Sequence, residues 1–127
     1  MTGAILALLL AAEGFLVVPP IVPTVQAPEP VVRLSEGVTM EVTFFTCSEA
    51  EGTADCWTAS GTPAREGIAA HRTLPFGTLV EVQDLGRFVI EDRGGGLGSR
   101  HLDIYVDSVE EAFRLGRMRK LVWVVQE

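Results

Sequence analysis

Two aspartates stand in a stretch able to bring them together. Residues 90–105 read Ile-Glu-Asp-Arg-Gly-Gly-Gly-Leu-Gly-Ser-Arg-His-Leu-Asp-Ile-Tyr. Asp92 follows the apolar run Phe88-Val89-Ile90, and Asp103 lies between Leu102 and Ile104. A carboxylate among β-formers is costly to desolvate without a partner. Each is therefore either satisfied by local backbone donors or kept for proton transfer. Strand alternation turns Asp103 to the face opposite Leu102 and Ile104. A glycine turn between the two lets the carboxylates lie close, which separates their pKa values and leaves one protonated near neutral pH. Asp92-Arg93-Gly94 is equally ordinary turn chemistry, and spacing alone leaves both readings open.

The elements that must position these residues are short and mostly β. Residues 40–46 alternate and are β-prone, residues 77–83 and 87–91 read as strands joined by the tight connection Asp84-Leu85-Gly86, and residues 101–106 form another. Residues 58–67 are turn-rich, and Leu74-Pro75-Phe76-Gly77 reads as a turn with Gly77 entering a strand. Gly94 to Gly96 are expected to supply positive φ and close backbone approach. Ser108 with Glu111 three residues on makes a capping box, and Gly116 stops that helix after about two turns. Residues 120–126 form a final buried strand, with Trp123 expected in the core. Many short strands and one short helix fit a small barrel.

The chain has 127 residues and a net charge of −7. That charge argues against a nucleic-acid partner, which calls for a basic stripe, and against docking on anionic lipid. Residues 1–27 hold one charged side chain, Glu13. Their apolar run AILALLLAA has the length of a signal-peptide h-region, without a Lys or Arg before it. Glu13 interrupts the run before it could span a bilayer. This segment is expected to be a signal peptide or weak membrane anchor, the only route to a membrane. Residues 28–39 are the end of a Pro-rich linker, and residues 40–127 the folded domain. Cys47 and Cys56 share one short acidic loop. In an exported protein they read as a disulfide; in a cytosolic one, as a reduced buried pair. No cluster of thiolates and imidazoles has zinc spacing, His71 and His101 being isolated. No metal or other cofactor is expected.

Six elements in order carry a family resemblance: Thr58-Ala59-Ser60-Gly61-Thr62; Gly67-Ile68-Ala69-Ala70-His71; Leu74-Pro75-Phe76-Gly77-Thr78; Glu91-Asp92-Arg93-Gly94-Gly95-Gly96; Leu102-Asp103-Ile104-Tyr105; and Glu111-Ala112 with Gly116. This order resembles the three-aspartate (3D) domain, which also forms the catalytic barrel of the membrane-bound lytic transglycosylase A family. The His71-to-Thr78 and Asp92-Arg93-Gly94 elements resemble the related rare lipoprotein A family. The resemblance covers residues 40–125. It implies a small six-stranded double-psi β-barrel with one short helix, acting on peptidoglycan glycan strands in the periplasm, the cell wall or outside the cell.

What the resemblance implies for the site is specific. Asp103 matches the catalytic aspartate of the transglycosylases. They cut the bond between N-acetylmuramic acid and N-acetylglucosamine with one residue that is first acid and then base, leaving a 1,6-anhydro sugar. Asp92 matches the family's second aspartate, with roles in holding the loop and stabilising oxocarbenium charge. The three-aspartate pattern has an aspartate where this chain has His71; rare lipoprotein A has a histidine there, implicated in its activity. His71 either supports the site or is a hydrogen-bonded residue at a strand end. Thr58 and Ser60 either line the groove or bond local backbone. Trp57 has the chemistry to stack on a sugar, and Tyr105 shares a strand face with Asp103. A reading of another class stands beside the enzyme: a glycan-binding or wall-loosening module without cleavage, as in expansin-like barrels. A phage-encoded lysis or tail enzyme is a third reading.

Overall fold

A computed structural model describes residues 30–47 and 56–127. The expected signal or anchor, the first two residues of the linker, and the interior of the cysteine loop lie outside the described residues. Among the described residues seven strands and one helix follow in the order β1 (Val32–Arg33), β2 (Val38–Phe45), β3 (Ile68–Ala70), β4 (Leu79–Val82), β5 (Gly86–Asp92), β6 (His101–Tyr105), α1 (Val109–Leu115) and β7 (Met118–Gln126). Hydrogen bonding runs β1-β7-β2-β6-β3-β5-β4, and β4 pairs back onto β7. The strands β2 to β7 thus close a six-stranded barrel, as the strand pattern and the resemblance led one to expect. Two neighbour pairs, β2–β6 and β3–β5, are parallel, and the rest are antiparallel. β1 and β2 lie along the same edge of β7, because β4 occupies its other edge at the same residues.

Period-2 alternation decides what faces inward. Leu102 and Ile104 of β6, Val80 and Val82 of β4, Val42 of β2, Ile90 of β5 and Val122 of β7 fill the interior with Ala69. Closure leaves none of the six barrel strands as a bare edge. The helix obeys its caps. The Ser108 side chain accepts from the Glu111 N–H, and the Gly116 N–H reaches the Ala112 carbonyl at φ +64°. Among the described residues no helix is long and apolar enough to cross a membrane. Cys47 and Cys56 are joined in a disulfide.

Three expectations need correction. β3 escaped the sequence reading: it is three residues long and buried throughout, so it shows no alternation. Trp123 is not in the core. Val122 and Val124 face Val82 and Val80, so Trp123 turns outward, where the Arg33 guanidinium lies 3.7 Å above its ring. Gly94 to Gly96 do not adopt positive φ. Close approach holds at Gly94 alone, where a Cβ would run into the Leu97 side chain, across a turn tied by the Leu97 N–H to the Gly94 carbonyl at 3.1 Å.

Candidate active site

Two strands carry the two aspartates, with β3 between them. Ala70 of β3 is opposite Asp103 of β6 on one side and Asp92 of β5 on the other. Residues paired across a ladder point to the same face, so Asp103, Ala70 and Asp92 share the outer face of the wall. Two strand spacings separate the aspartate backbones by about 9–10 Å. A β-bulge makes this possible. Ala69 pairs with Ile90, but Ala70 pairs with Asp92, and the register shifts between them. Glu91 is the extra residue. Simple alternation from the buried Ile90 would return Asp92 to the core; the added residue reverses the parity and turns it outward.

Asp92 is held by backbone donors. Its Oδ1 accepts from the Ala59 N–H and the Arg93 N–H, both at 2.9 Å. It thereby ties residues 58–62 to the end of β5. Glu91 grips the same loop from the other side. Thr62 donates to it at 2.6 Å, and Arg65 binds both of its oxygens at 2.9 and 2.6 Å. The Arg65 hydrogen bond, above all, holds the Glu91 carboxyl below its usual range, with Thr62 and the Arg65 charge adding to it against partial burial. Thr58 is buried. Its hydroxyl meets those of Ser60 and Thr62 at 2.9 and 2.7 Å, so this cluster organises the loop. Trp57 stands 64% exposed beside it, bridged through its backbone to Pro63.

His71 follows Ala70 directly, but its ring is turned away into the protein. Only 3% of it is exposed. Nδ1 accepts from the N–H groups of Thr73 and Leu74 at 3.1 and 3.0 Å. With Nδ1 so used, Nε2 donates to the Ser99 carbonyl at 3.0 Å. Burial pushes its pKa down, with the Arg93 charge adding to this and the Ser99 bond opposing it. Both nitrogens of this neutral imidazole are spent on holding the 71–74 turn against the loop before β6.

Asp103 belongs to a different polar set, which the sequence reading missed. The outer faces of β2 and β6 present three pairs: Glu41 opposite His101, Thr43 opposite Asp103, and Phe45 opposite Tyr105. The Thr43 hydroxyl donates to Asp103 Oδ1 at 2.9 Å and contacts His101 Nε2 at 2.7 Å. His101 Nδ1 lies 4.0 Å from Glu41 Oε2, and Arg117 pairs with Glu41 at 2.5 Å. The Arg117 hydrogen bond keeps the Glu41 carboxyl below its usual range. Glu41-x-Thr43 and His101-x-Asp103 have the strand period, which is the signal that was available in the sequence. Tyr105 packs edge-on against Phe45, with centroids 5.6 Å apart, and lines a cavity of about 360 Å³ between the barrel and α1. Thr43 borders a second, of about 310 Å³, with Phe113 and Arg117.

Carboxylates of two strands on one outer face, one backbone-clamped and one bonded to a hydroxyl, form an arrangement suited to proton transfer. No protein-family model matches the chain. Over 59 residues it is 51% identical to the probable endolytic peptidoglycan transglycosylase RlpA of Aquifex aeolicus (strain VF5), a match covering 42% of this chain. Over that stretch the two are homologous. The match spans 25% of the relative's own length, so the matched stretch corresponds to about a quarter of that protein. Among the described residues no group of His, Cys, Asp and Glu is arranged to hold a metal ion.

Proposed function

We propose that this barrel binds peptidoglycan glycan strands across the outer face of β6, β3 and β5. There it cleaves the bond between N-acetylmuramic acid and N-acetylglucosamine. The observation that carries the reading is the placement of Asp103 and Asp92 on either side of Ala70; the similarity to RlpA supports peptidoglycan as the substrate. Asp103 is the acid–base group. It protonates the glycosidic oxygen, and its carboxylate then takes the proton of the muramyl C6 hydroxyl as the 1,6-anhydro ring closes. Asp92, oriented by two backbone donors, faces the developing oxocarbenium. Trp57 offers an exposed ring for a sugar beyond Asp92. His71 serves by fixing the loops around the site. The disulfide and the RlpA similarity support an exported protein, placed in the periplasm or at the cell wall.

The test is digestion of purified peptidoglycan followed by mass spectrometry. Anhydro-muropeptides are expected from the wild type and none from Asp103→Asn, with the melting temperature of the variant unchanged. Turnover by Asp103→Asn at the wild-type rate would remove Asp103 from the acid–base role. Binding to peptidoglycan with glycan strands left intact would favour the non-catalytic module, a reading to which the exposed rings of Trp57 and Phe113 lend support.

A further inference from the structure

We infer that His101 is a positioning and proton-supplying residue for Asp103, acting through the single hydroxyl proton of Thr43. The inference rests on the reading of Asp103 as the acid–base group, and it goes beyond that reading by naming what protonates Asp103 before substrate binds; within the cycle the C6 hydroxyl returns the proton.

The protonation of Asp103 fixes the direction of each bond. Thr43 gives its one proton to Asp103 Oδ1 at 2.9 Å. Its oxygen, 2.7 Å from His101 Nε2, must then accept, and Nε2 carries a proton. This is the arrangement for an ionised Asp103. When Asp103 is protonated and donates to Thr43, the hydroxyl turns to donate to Nε2. The ring must then hold its proton on Nδ1, the side facing Glu41 Oε2 at 4.0 Å. A hydroxyl with one proton cannot donate both ways, so the protonation of Asp103 and the proton position on His101 are linked.

The same chain can move a proton. Starting from an imidazolium and a carboxylate, Nε2 passes its proton to Thr43 Oγ1 as Thr43 passes its own to Asp103 Oδ1. One N–H bond breaks, one O–H bond breaks and two O–H bonds form. His101 ends neutral with its proton on Nδ1, Asp103 ends as the acid, and no other reactant is consumed. Glu41 stabilises the Nδ1 proton throughout, kept ionised by Arg117. Arg100 precedes His101 in the chain. On β6 His101 has Asp103; on β2, Glu41 and Thr43; on β7, Arg119 opposite Glu41, with Arg117 just before that strand. On the β3 side Ala70 pairs with Asp103, and the nitrogens of the buried His71 are committed elsewhere.

The experiment is a pH titration of the full chain by NMR, following the His101 ring nitrogens and the Asp103 carboxyl carbon. The variants are Thr43→Val, Thr43→Ser and Asp103→Asn, with His71 as an internal spectator. In the wild type the His101 signals are expected to show a second inflection at the Asp103 midpoint. Thr43→Ser keeps it; Thr43→Val and Asp103→Asn lose it. Should Thr43→Val fail to fold, the comparison of Thr43→Ser with Asp103→Asn decides. Identical His101 titrations in wild type and Asp103→Asn overturn the inference. Cleavage kinetics separate the two claims. Linked titrations without anhydro products sink the enzymatic reading alone, and anhydro products with independent titrations sink this one. In an active enzyme, His101→Gln should move the pH profile of kcat and leave KM in place. The loss should be smaller than the roughly 10²–10⁴-fold of removing a direct acid–base group.

Discussion

His71 and Glu91 show how buried polar residues leave separate marks on stability. The folded pKa of His71 lies below its ordinary value of 6.5. At pH values between the folded and unfolded pKa the unfolded chain therefore binds more protons, and stability rises with pH. The His71 contribution is fully present above about 6.5 and is lost as pH falls through the folded pKa. Glu91, lowered from 4.5, obeys the same sign in a more acidic window: its contribution is present above its unfolded pKa and is lost on acidification below that. A melting-temperature profile should fall in two stages as the solution is acidified. His71→Gln should lower stability at neutral pH and flatten the upper stage while sparing the lower one. An upper stage unchanged in His71→Gln would assign that slope to another group. The outward turn of Asp103 was legible in the sequence from its place between Leu102 and Ile104. The roles of the residues around the aspartates were not, because hydrogen bonding by His71 and Thr58 depends on loops that return from elsewhere in the chain.

Among the elements, α1 was the most legible. Its cap, its third-position glutamate and its stopping glycine are local signals, and the helix obeys each of them. Its N-cap therefore makes a clean test. Ser108→Ala should cost about 1 kcal/mol in urea denaturation, since the Glu111 N–H loses its acceptor. A loss near zero would mean that packing alone holds the helix. β4, β6 and β7 were legible through alternation or length. β3 was not, and neither was the bulge at Glu91. A bulge is set by how a partner strand is registered, and β3 reaches β5 only after the intervening loops have folded. The outward turn of Asp92 could thus not be read from residues 86–92 alone. Trp123 was misplaced for a related reason: an apolar strand does not state which of its faces is inside until Val80 and Val82 are set against it.

At the scale of the whole molecule, the six-stranded closure and the disulfide act on different states. Closure organises the native core, whereas the Cys47–Cys56 link limits the unfolded chain. Replacing both cysteines by serine should lower stability by about 2–3 kcal/mol on the loop-entropy account, measured as a shifted urea midpoint with the barrel intact. A midpoint that does not move would mean that the link adds nothing beyond the local loop. The order in which the chain is made adds a consequence of its own. β7 is the last of the seven strands in sequence, yet it borders β1, β2 and β4 at once. Until the ribosome has released it, β2 and β4 have no common neighbour and the wall stays open. The earlier strands must wait as a nascent, unclosed ribbon, and a polypeptide still in that condition is one that can be threaded through a narrow protein-conducting channel before it locks.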